Sequence, residues 1–134
     1  MIMKILFVCS GNAYRSPYAE ALLKKQRPDL DVESAGLHVA IPIAREAKNY
    51  LRKLDAEQYL KSFPESLDEK NLSNYDLIIA MQPKHKSALL RKCPECESKI
   101  IVWNIKDPYF EEQKTAKKIY NAIENKVKEL AKSL

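Results

Sequence analysis

Short apolar runs alternate with longer segments of helical periodicity along this chain. Four runs are typical of buried strands, and residues 2–8, apolar apart from Lys4, are the clearest because helices must cover both faces of such a strand. The predicted strands are 2–8, 31–35, 77–81 and 99–103. Apolar positions recur every three or four residues in the intervening segments, which predicts amphipathic helices. The predicted helices are 17–26, 44–54, 83–92 and 111–134.

Strands separated by helix-length segments predict an α/β fold with a parallel sheet and right-handed crossovers. A length of 134 residues corresponds to a single domain, which we expect to span residues 1–134. Residues 55–73 are less regular, with Pro64 as a breaker and a helical turn expected within 67–72. Parallel sheets bind ligands at the carboxyl ends of their strands, so candidate catalytic groups are expected there.

Charge and composition narrow the function only slightly. The chain has 23 basic and 18 acidic residues, and the net charge of +5 suits anionic substrates but is equally well explained by a lysine-rich surface. Nucleic-acid and membrane partners are not expected. We expect no signal peptide, and three cysteines, an odd number, predict a reducing cytoplasm. A charged fraction of 31% and only two glycines are typical of a heat-adapted source.

One run, Cys9 to Pro17, carries most of the chemical information. It reads Cys-Ser-Gly-Asn-Ala-Tyr-Arg-Ser-Pro and lies between the first predicted strand and the first predicted helix. Arg15 offers bidentate hydrogen bonds to two phosphate oxygens. Successive backbone amides at a helix N-terminus form a nest that binds an anion. The residues expected to supply this nest are Ser10, Gly11, Asn12, Ala13, Tyr14 and Arg15.

Cys9 is the candidate nucleophile of this loop. The arginine and the helix N-terminus favour its thiolate, which is the form that attacks phosphorus. Gly11 and Asn12 tolerate the positive φ that a tight loop requires. Ser16 has two alternative roles. It caps the helix, with Pro17 at the first helical position, or it donates a hydrogen bond to the Cys9 sulfur and eases departure of the thiolate.

The run resembles the active-site loop of the low-molecular-weight protein tyrosine phosphatases. Three further segments are similar to that family and follow in the same order, namely Ser34-Ala35-Gly36, Tyr75 to Met81 and Asp107-Pro108-Tyr109. We therefore expect a three-layer sandwich in which a four-stranded parallel sheet of order 2-1-3-4 carries helices on both faces. The resemblance implies hydrolysis of aryl phosphomonoesters through a cysteinyl-phosphate intermediate, without metal or cofactor.

Asp107 is the candidate general acid, because the leaving oxygen needs a proton and the position matches the acid of the family. The alternative is that Asp107 caps the last helix. By resemblance, Tyr109 lines a slot for aryl phosphates, although packing on the last helix is the alternative. Asn12 and Ser34 would support the loop through hydrogen bonds. Residues 38–41 contain no Trp, Tyr or Phe for the opposite wall, so we expect an open or shallow slot.

The chain departs from the family pattern at two positions. Gln82 stands where the family commonly has aspartate, which assigns the acid role more firmly to Asp107. Tyr14 occupies the place of a second loop cysteine, so we expect Cys9 to lack a protecting disulfide partner. His38 and His85 are interpreted as surface residues.

Cys93 and Cys96 are open to three interpretations: a redox pair, half of a four-thiol metal site, or two structural thiols. No second pair is present in the chain to complete a zinc site. The two cysteines precede the fourth predicted strand and therefore lie at the amino-end edge of the sheet, away from Cys9. We predict that they form a local disulfide on oxidation and no bond to Cys9.

Together these features predict a cytoplasmic phosphotyrosine phosphatase that acts on a phosphoprotein or a small phosphomonoester, with phosphate as product and inhibitor. Three alternatives remain. An arsenate reductase uses a similar loop with relay cysteines near the active-site edge, where this chain has Met81. A redox protein would act through Cys93 and Cys96, with the loop only binding anions. A noncatalytic phosphate-binding or nucleic-acid-binding module would leave the loop chemistry unused.

Overall fold

The computed structural model describes residues 2–134 and is built on a four-stranded parallel sheet. The strands are β1 (Lys4–Cys9), β2 (Asp31–Gly36), β3 (Leu77–Ala80) and β4 (Ile100–Val102). Their order is β2-β1-β3-β4, and every neighbouring pair is parallel. The predicted order 2-1-3-4 is confirmed.

Four α-helices follow the strands, as the hydrophobic periodicity predicts. They are α1 (Arg15–Gln26), α2 (Arg45–Lys53), α3 (Pro83–Lys92) and α4 (Gln113–Ser133). The irregular segment between α2 and β3 contains three short 3-10 turns, and a fourth lies between α3 and β4. These turns are Glu57–Tyr59, Leu67–Glu69, Leu72–Asn74 and Pro94–Lys99. No helix within residues 2–134 is long and apolar enough to cross a membrane.

The apolar run of β1 is continuous because both of its faces are covered. Ile5 and Phe7 share a core with the apolar sides of α1, α2 and α4, and Cys9 lies on that same face. Leu6 and Val8 point to the other face, where they pack with residues of α3 and of the turn before β4. The molecule therefore has helices on both faces of its sheet, and each face has a core of its own.

The loop after β1 lies directly on the end of β2. Cys9 is in register with Gly36, the last residue of β2. A Cβ atom at position 36 would lie 2.6 Å from the backbone nitrogen of Asn12 and 2.7 Å from the carbonyl carbon of Gly11. Only glycine permits this approach of two backbones, so Gly36 fixes the loop against the sheet.

Candidate active site

The loop between β1 and α1 turns sharply at Asn12, whose φ is 54°. Asparagine tolerates this left-handed conformation because its side chain forms local hydrogen bonds. The corresponding expectation for Gly11 is wrong, since no glycine within residues 2–134 has a positive φ. Asn12 is therefore the left-handed residue of the loop, and its side chain also forms hydrogen bonds to the residues beneath the loop.

The Cys9 sulfur lies at the centre of the loop, next to the Ser16 hydroxyl. Cys9 is a free cysteine, 2% exposed, and its Sγ is 2.8 Å from Ser16 Oγ. Asn12 Nδ2 donates to the same Ser16 Oγ over 2.8 Å, which leaves the Ser16 proton for the sulfur. Helix α1 begins at Arg15, its N-cap residue is Tyr14, and no side chain caps it. The helix-capping alternative for Ser16 is therefore wrong, and so is the first helical position for Pro17.

Asn12 and Ser34 are part of a buried polar cluster beneath the loop. Asn12 Nδ2 donates to Ser34 Oγ over 2.9 Å, and Ser34 Oγ donates to Glu20 Oε1 over 2.5 Å. Lys61 Nζ donates to Asn12 Oδ1 over 2.8 Å and to the Ser34 carbonyl over 2.9 Å. The side chains of Lys61 and Glu20 are only 8% and 4% exposed. Two opposite charges are thus buried under the loop and hold its turn in place.

Arg15 is 1% exposed and is held by acceptors from the segments that follow β3 and β4. Its Nη1 donates to Gln82 Oε1 over 2.6 Å and to the Ile105 carbonyl over 2.8 Å. Both Nη1 protons are thus used within the protein. Among residues 2–134, Nε has no hydrogen-bond partner, and Nη2 has only long contacts, 3.4 Å to Ser10 Oγ and 3.9 Å to Asp107 Oδ2. Two guanidinium nitrogens are therefore free to bind a second group side by side.

His85 is completely buried, so its interpretation as a surface residue is wrong. It is the third residue of α3, and its Nδ1 accepts a hydrogen bond from the Gln82 backbone N–H over 3.0 Å. Its Nε2 is 2.9 Å from Ser10 Oγ. Burial, together with the charges of Arg15 and Lys84, lowers the pKa of His85 to about 4. Histidine 38, by contrast, is exposed, as expected.

A cavity of about 270 Å³ opens above the loop. One side is aromatic: the rings of Tyr14 and Tyr109 meet edge to face with their centroids 5.8 Å apart. The other side consists of His38, Ala40 and Ile41 and has no Trp, Tyr or Phe, as the sequence predicts. Cys9 and the loop residues Ser10, Gly11 and Ala13 also line the cavity.

Asp107 lies at the rim of this cavity. Its side chain is 45% exposed, and its Oδ1 accepts a hydrogen bond from the Tyr109 backbone N–H over 3.0 Å. Helix α4 begins at Gln113 and its N-cap residue is Glu112, so Asp107 does not cap it. The carboxylate is therefore held beside the cavity and is accessible to a molecule that enters it.

Comparison with known proteins agrees with this geometry. The family model described as low molecular weight phosphotyrosine protein phosphatase matches residues 4–134. The chain belongs to this family. It is 33% identical to the low molecular weight protein-tyrosine-phosphatase Wzb of Escherichia coli K12, over 100% of this chain and 97% of that protein. It is also 35% identical to a protein-arginine-phosphatase of Geobacillus stearothermophilus, over 74% of this chain and 68% of that protein.

Solved structures of the family superpose on the whole chain. The complex of Vibrio vulnificus Wzb with benzylphosphonate matches with a TM-score of 0.89 and 28% sequence identity, covering 100% of both chains. The tyrosine phosphatase AmsI of Erwinia amylovora also matches with a TM-score of 0.89, at 27% identity over 100% of this chain. The fold expected from the resemblance is therefore confirmed, and the phosphatase interpretation is favoured over arsenate reductase.

The other two cysteines of this phosphatase lie on the opposite face of the sheet. Cys93 and Cys96 are joined by a disulfide and are packed in the core that contains Leu6 and Val8. They follow the C-terminus of α3 and precede β4, so they lie at the amino end of the sheet, as predicted. The sheet itself separates them from the Cys9 sulfur.

Sequence reasoning missed three contributors to this phosphatase site: Glu20, Lys61 and His85. Glu20 had a usable signal, since a carboxylate between Ala19 and Ala21 in the buried part of α1 needs a partner. Lys61 had none, because it lies within the irregular segment 55–73, which has no periodicity. His85 had a weak signal, three residues after Gln82 at the start of α3, which is the spacing of a capping box.

Proposed function

We propose that this chain hydrolyses phosphotyrosine and related aryl phosphomonoesters through a cysteinyl-phosphate intermediate on Cys9. The observation that carries the proposal is the arrangement of Arg15. Its Nη1 is satisfied by Gln82 and Ile105, so Nε and Nη2 are left to hold two phosphoryl oxygens beside the sulfur. The backbone amides of residues 10–15 complete the cradle, at the N-terminus of α1.

In the first step the Cys9 thiolate attacks phosphorus and the bond from phosphorus to the aryl oxygen breaks. Asp107, in its acid form, gives its proton to that oxygen, so that a neutral phenol leaves. Its place at the rim, 3.9 Å from Arg15 Nη2, lies along the way out of the cavity. The electron pair of the broken bond thus ends on an oxygen that is protonated as it departs.

In the second step water attacks the phosphorus of the cysteinyl phosphate. The Asp107 carboxylate takes a proton from this water, the bond from sulfur to phosphorus breaks, and phosphate leaves with the thiolate restored. The Ser16 hydroxyl, 2.8 Å from the sulfur, stabilises the departing thiolate. No metal takes part in either step, and phosphate, which binds the same cradle, is expected to inhibit.

The aromatic side of the cavity supports an aryl substrate. Tyr14 and Tyr109 form a corner against which a flat ring packs, as aromatic pairs prefer edge-to-face or offset contacts. Burial and the nearby Glu46 carboxylate raise the pKa of Tyr14, so its phenol stays neutral and does not repel a phosphate. The complex of the Vibrio vulnificus relative contains benzylphosphonate, an aryl-bearing phosphonate.

A phosphoarginine residue is the second candidate substrate. The Geobacillus stearothermophilus relative is named a protein-arginine-phosphatase, and the aliphatic wall of Ala40 and Ile41 leaves room for a non-aromatic group. The Asp107 carboxylate at the rim would pair with a guanidinium, whereas its acid form protonates the leaving oxygen of an aryl ester. Phosphotyrosine and phosphoarginine peptides of the same sequence, compared by kcat/KM, separate the two.

Hydrolysis of an aryl phosphate by wild type and Cys9→Ser tests the covalent mechanism. We expect the substitution to abolish turnover, with a phosphocysteine trapped by acid quench in the wild type only. Normal turnover by Cys9→Ser without added metal would refute the mechanism. Arsenate-dependent oxidation of thioredoxin, measured in parallel, would support the reductase instead.

The Asp107→Asn variant tests the general acid. It should keep most of its activity toward an ester with a good leaving group, such as p-nitrophenyl phosphate, and lose it toward phenyl phosphate, which needs the proton. Equal losses with both esters would show that Asp107 acts in some other way.

We further propose a cytoplasmic location and a phosphotyrosine protein or a small phosphomonoester as partner. The reaction needs Cys9 as a thiolate, which a reducing compartment preserves. Heat adaptation of the source stays a prediction, which the midpoint of thermal unfolding would test.

A further inference from the structure

His85 is a buried titratable group that the two-step mechanism does not use. It is 0% exposed and lies behind the loop, where the N-terminus of α3 meets Ser10 and Arg15. A histidine that only filled the core would satisfy its ring with local backbone groups. Here one ring nitrogen binds the Gln82 backbone, while the other reaches across 75 residues to a loop hydroxyl.

The hydrogen bonds of His85 fix its tautomer. A backbone N–H can only donate, so His85 Nδ1 must accept the bond from Gln82 and carries no proton. The proton of the neutral ring is then on Nε2, which donates to Ser10 Oγ over 2.9 Å. Histidine 85 is thus a directed donor to Ser10.

The Ser10 hydroxyl has one proton, and none of the acceptors within residues 2–134 receives it. Its oxygen accepts from His85 Nε2 and, at 3.4 Å, from Arg15 Nη2, and within residues 2–134 it has no other side-chain contact at hydrogen-bond distance. Since a hydroxyl oxygen has two lone pairs, both are directed at these donors. Ser10 lines the cavity next to Cys9 and Arg15, so its proton is available to an anion bound there.

We propose that His85 positions the Ser10 side chain as an additional hydrogen-bond donor to a phosphoryl oxygen held by the loop. The proposal rests on the phosphatase function proposed above. It assigns to the Ser10 hydroxyl a contact with the substrate beyond that of its backbone amide. His85 acts only through Ser10, as a positioning residue. Gln82, whose backbone N–H binds His85, also accepts a hydrogen bond from Arg15.

A double-mutant cycle between Ser10 and His85 tests this arrangement. Ser10→Ala is expected to lower kcat/KM for phenyl phosphate about tenfold and to weaken inhibition by inorganic phosphate by a similar factor, since bonds to charged groups are the strong ones. Ser10→Thr keeps the hydroxyl and should retain most activity. His85→Leu alone should match Ser10→Ala, and in the Ser10→Ala background it should add less than about twofold.

His85→Gln provides a matched control, because its amide N–H can replace Nε2 as donor to Ser10. It should recover most of the activity that His85→Leu loses. The proposal would be overturned if the losses of kcat/KM in Ser10→Ala and His85→Leu multiplied in the double variant. It would also be overturned if Ser10→Ala left inhibition by phosphate unchanged. If His85→Leu does not fold, the comparison of Ser10→Ala with Ser10→Thr and His85→Gln still decides it. Cys9→Ser is measured separately, so failure of the covalent mechanism is distinguishable from failure of this contact.

Discussion

The two ends of the sheet contain similar polar interactions with different consequences. At the carboxyl end, Lys61 and Glu20 are buried beneath the loop, and Arg15 is held through Nη1, which leaves Nε and the weakly held Nη2 for a ligand. At the amino end, Lys70 and Tyr75 converge on Glu33. There each charge is satisfied by its neighbours. Hydrogen bonds stabilise both ends, but only donors that the protein does not fully use can bind a substrate.

The amino-end cluster is internally balanced. Tyr75 Oη donates to Glu33 Oε1 over 2.6 Å, and Lys70 Nζ donates to the same oxygen over 2.9 Å. Burial alone would raise the pKa of Glu33, but these two hydrogen bonds and the charge of Lys4 outweigh it and lower the pKa to about 2. Substitutions at this end should therefore change stability and leave turnover almost unaffected.

Among these substitutions, Asn12→Ala is expected to have the largest effect on turnover. It removes the donor to Ser16 and Ser34 and the acceptor of Lys61, so the loop loses the side chain that holds its turn. We expect kcat to fall on the order of 10²-fold, as for other small misplacements of reacting groups. The free energy of unfolding should fall by about 1 to 3 kcal/mol, because buried groups lose their partners.

Steady-state kinetics and denaturant unfolding measure the two effects of Asn12→Ala. Asn71→Ala is the control, since Asn71 makes only an exposed hydrogen bond with the nearby Ser73 N–H. Unchanged kcat in Asn12→Ala would mean that the buried cluster only stabilises the fold.

Removing the disulfide should lower stability and leave turnover almost unchanged. The bond closes a loop of only three residue steps, and its chain-entropy contribution is about 2 kcal/mol. The Cys93→Ser/Cys96→Ser variant should lose about that much unfolding free energy while its kcat stays within about twofold of wild type. Reduction of the wild type should reproduce the loss, and the variant should not respond to the reductant.

Peptide mapping after peroxide treatment tests whether Cys9 can react with the two cysteines of the disulfide. Because the sheet lies between the disulfide and Cys9, we expect oxidation of Cys9 without a crosslink to either of the other cysteines. Recovery of a Cys9 to Cys93 or Cys9 to Cys96 peptide would contradict this, and would assign a redox function to the pair.

The dependence of stability on pH should distinguish the two ends. The folded pKa of His85, about 4, is depressed below the unfolded value near 6.5 by burial and by Arg15 and Lys84, against the opposing charge of Asp107. Its contribution is present above about pH 6.5 and is lost as pH falls toward 4. The folded pKa of Glu33, about 2, is depressed below 4.5, so its contribution is lost only between about pH 4.5 and 2.

Denaturant unfolding of His85→Gln and Glu33→Gln across this range checks both assignments. Each variant should lose the pH dependence in its own window and retain that of the other. If His85→Gln kept the loss between pH 6.5 and 4, another group would be responsible for it.

The sequence predicts those parts of the molecule in which the interacting residues are close to one another along the chain. The strand β1 and the helix α3 (Pro83–Lys92) follow from periodicity and a proline at the first helical position, and α3 matches its predicted bounds. The loop is predicted for the same reason, since Cys9 and Arg15 lie six positions apart in one turn. The order of the strands in the sheet is expected from the family resemblance.

The supporting contacts could not be predicted, because they join residues that are far apart in sequence. Lys61 reaches Asn12 across 49 positions, and His85 reaches Ser10 across 75. An isolated histidine or lysine in a sequence is more often exposed, and only the packing of α3 against the loop makes His85 a buried donor. The contact between the Tyr14 and Tyr109 rings could not be predicted for the same reason, because the two residues are far apart in sequence.

Glu65 connects the two ends, and Glu65→Gln should therefore have the smallest effect of these substitutions. Its carboxylate contacts Lys61 Nζ and Lys70 Nζ, each over 2.8 Å, and its backbone N–H donates to Asn12 Oδ1. The side chain is 41% exposed, so water screens both ion pairs, and we expect a loss below about 1 kcal/mol with kcat changed less than about twofold. The backbone bond to Asn12 survives the substitution.

A cycle that combines Glu65→Gln with Glu33→Gln measures whether the ends act independently. Both carboxylates contact Lys70, so their effects on stability should deviate from additivity. Their effects on kcat should remain small and additive, since neither side chain contacts Arg15 or Cys9. A large loss of kcat in the double variant would mean that Lys70 and Lys61 transmit changes through Glu65 to the loop, and the amino end would then be part of the catalytic support.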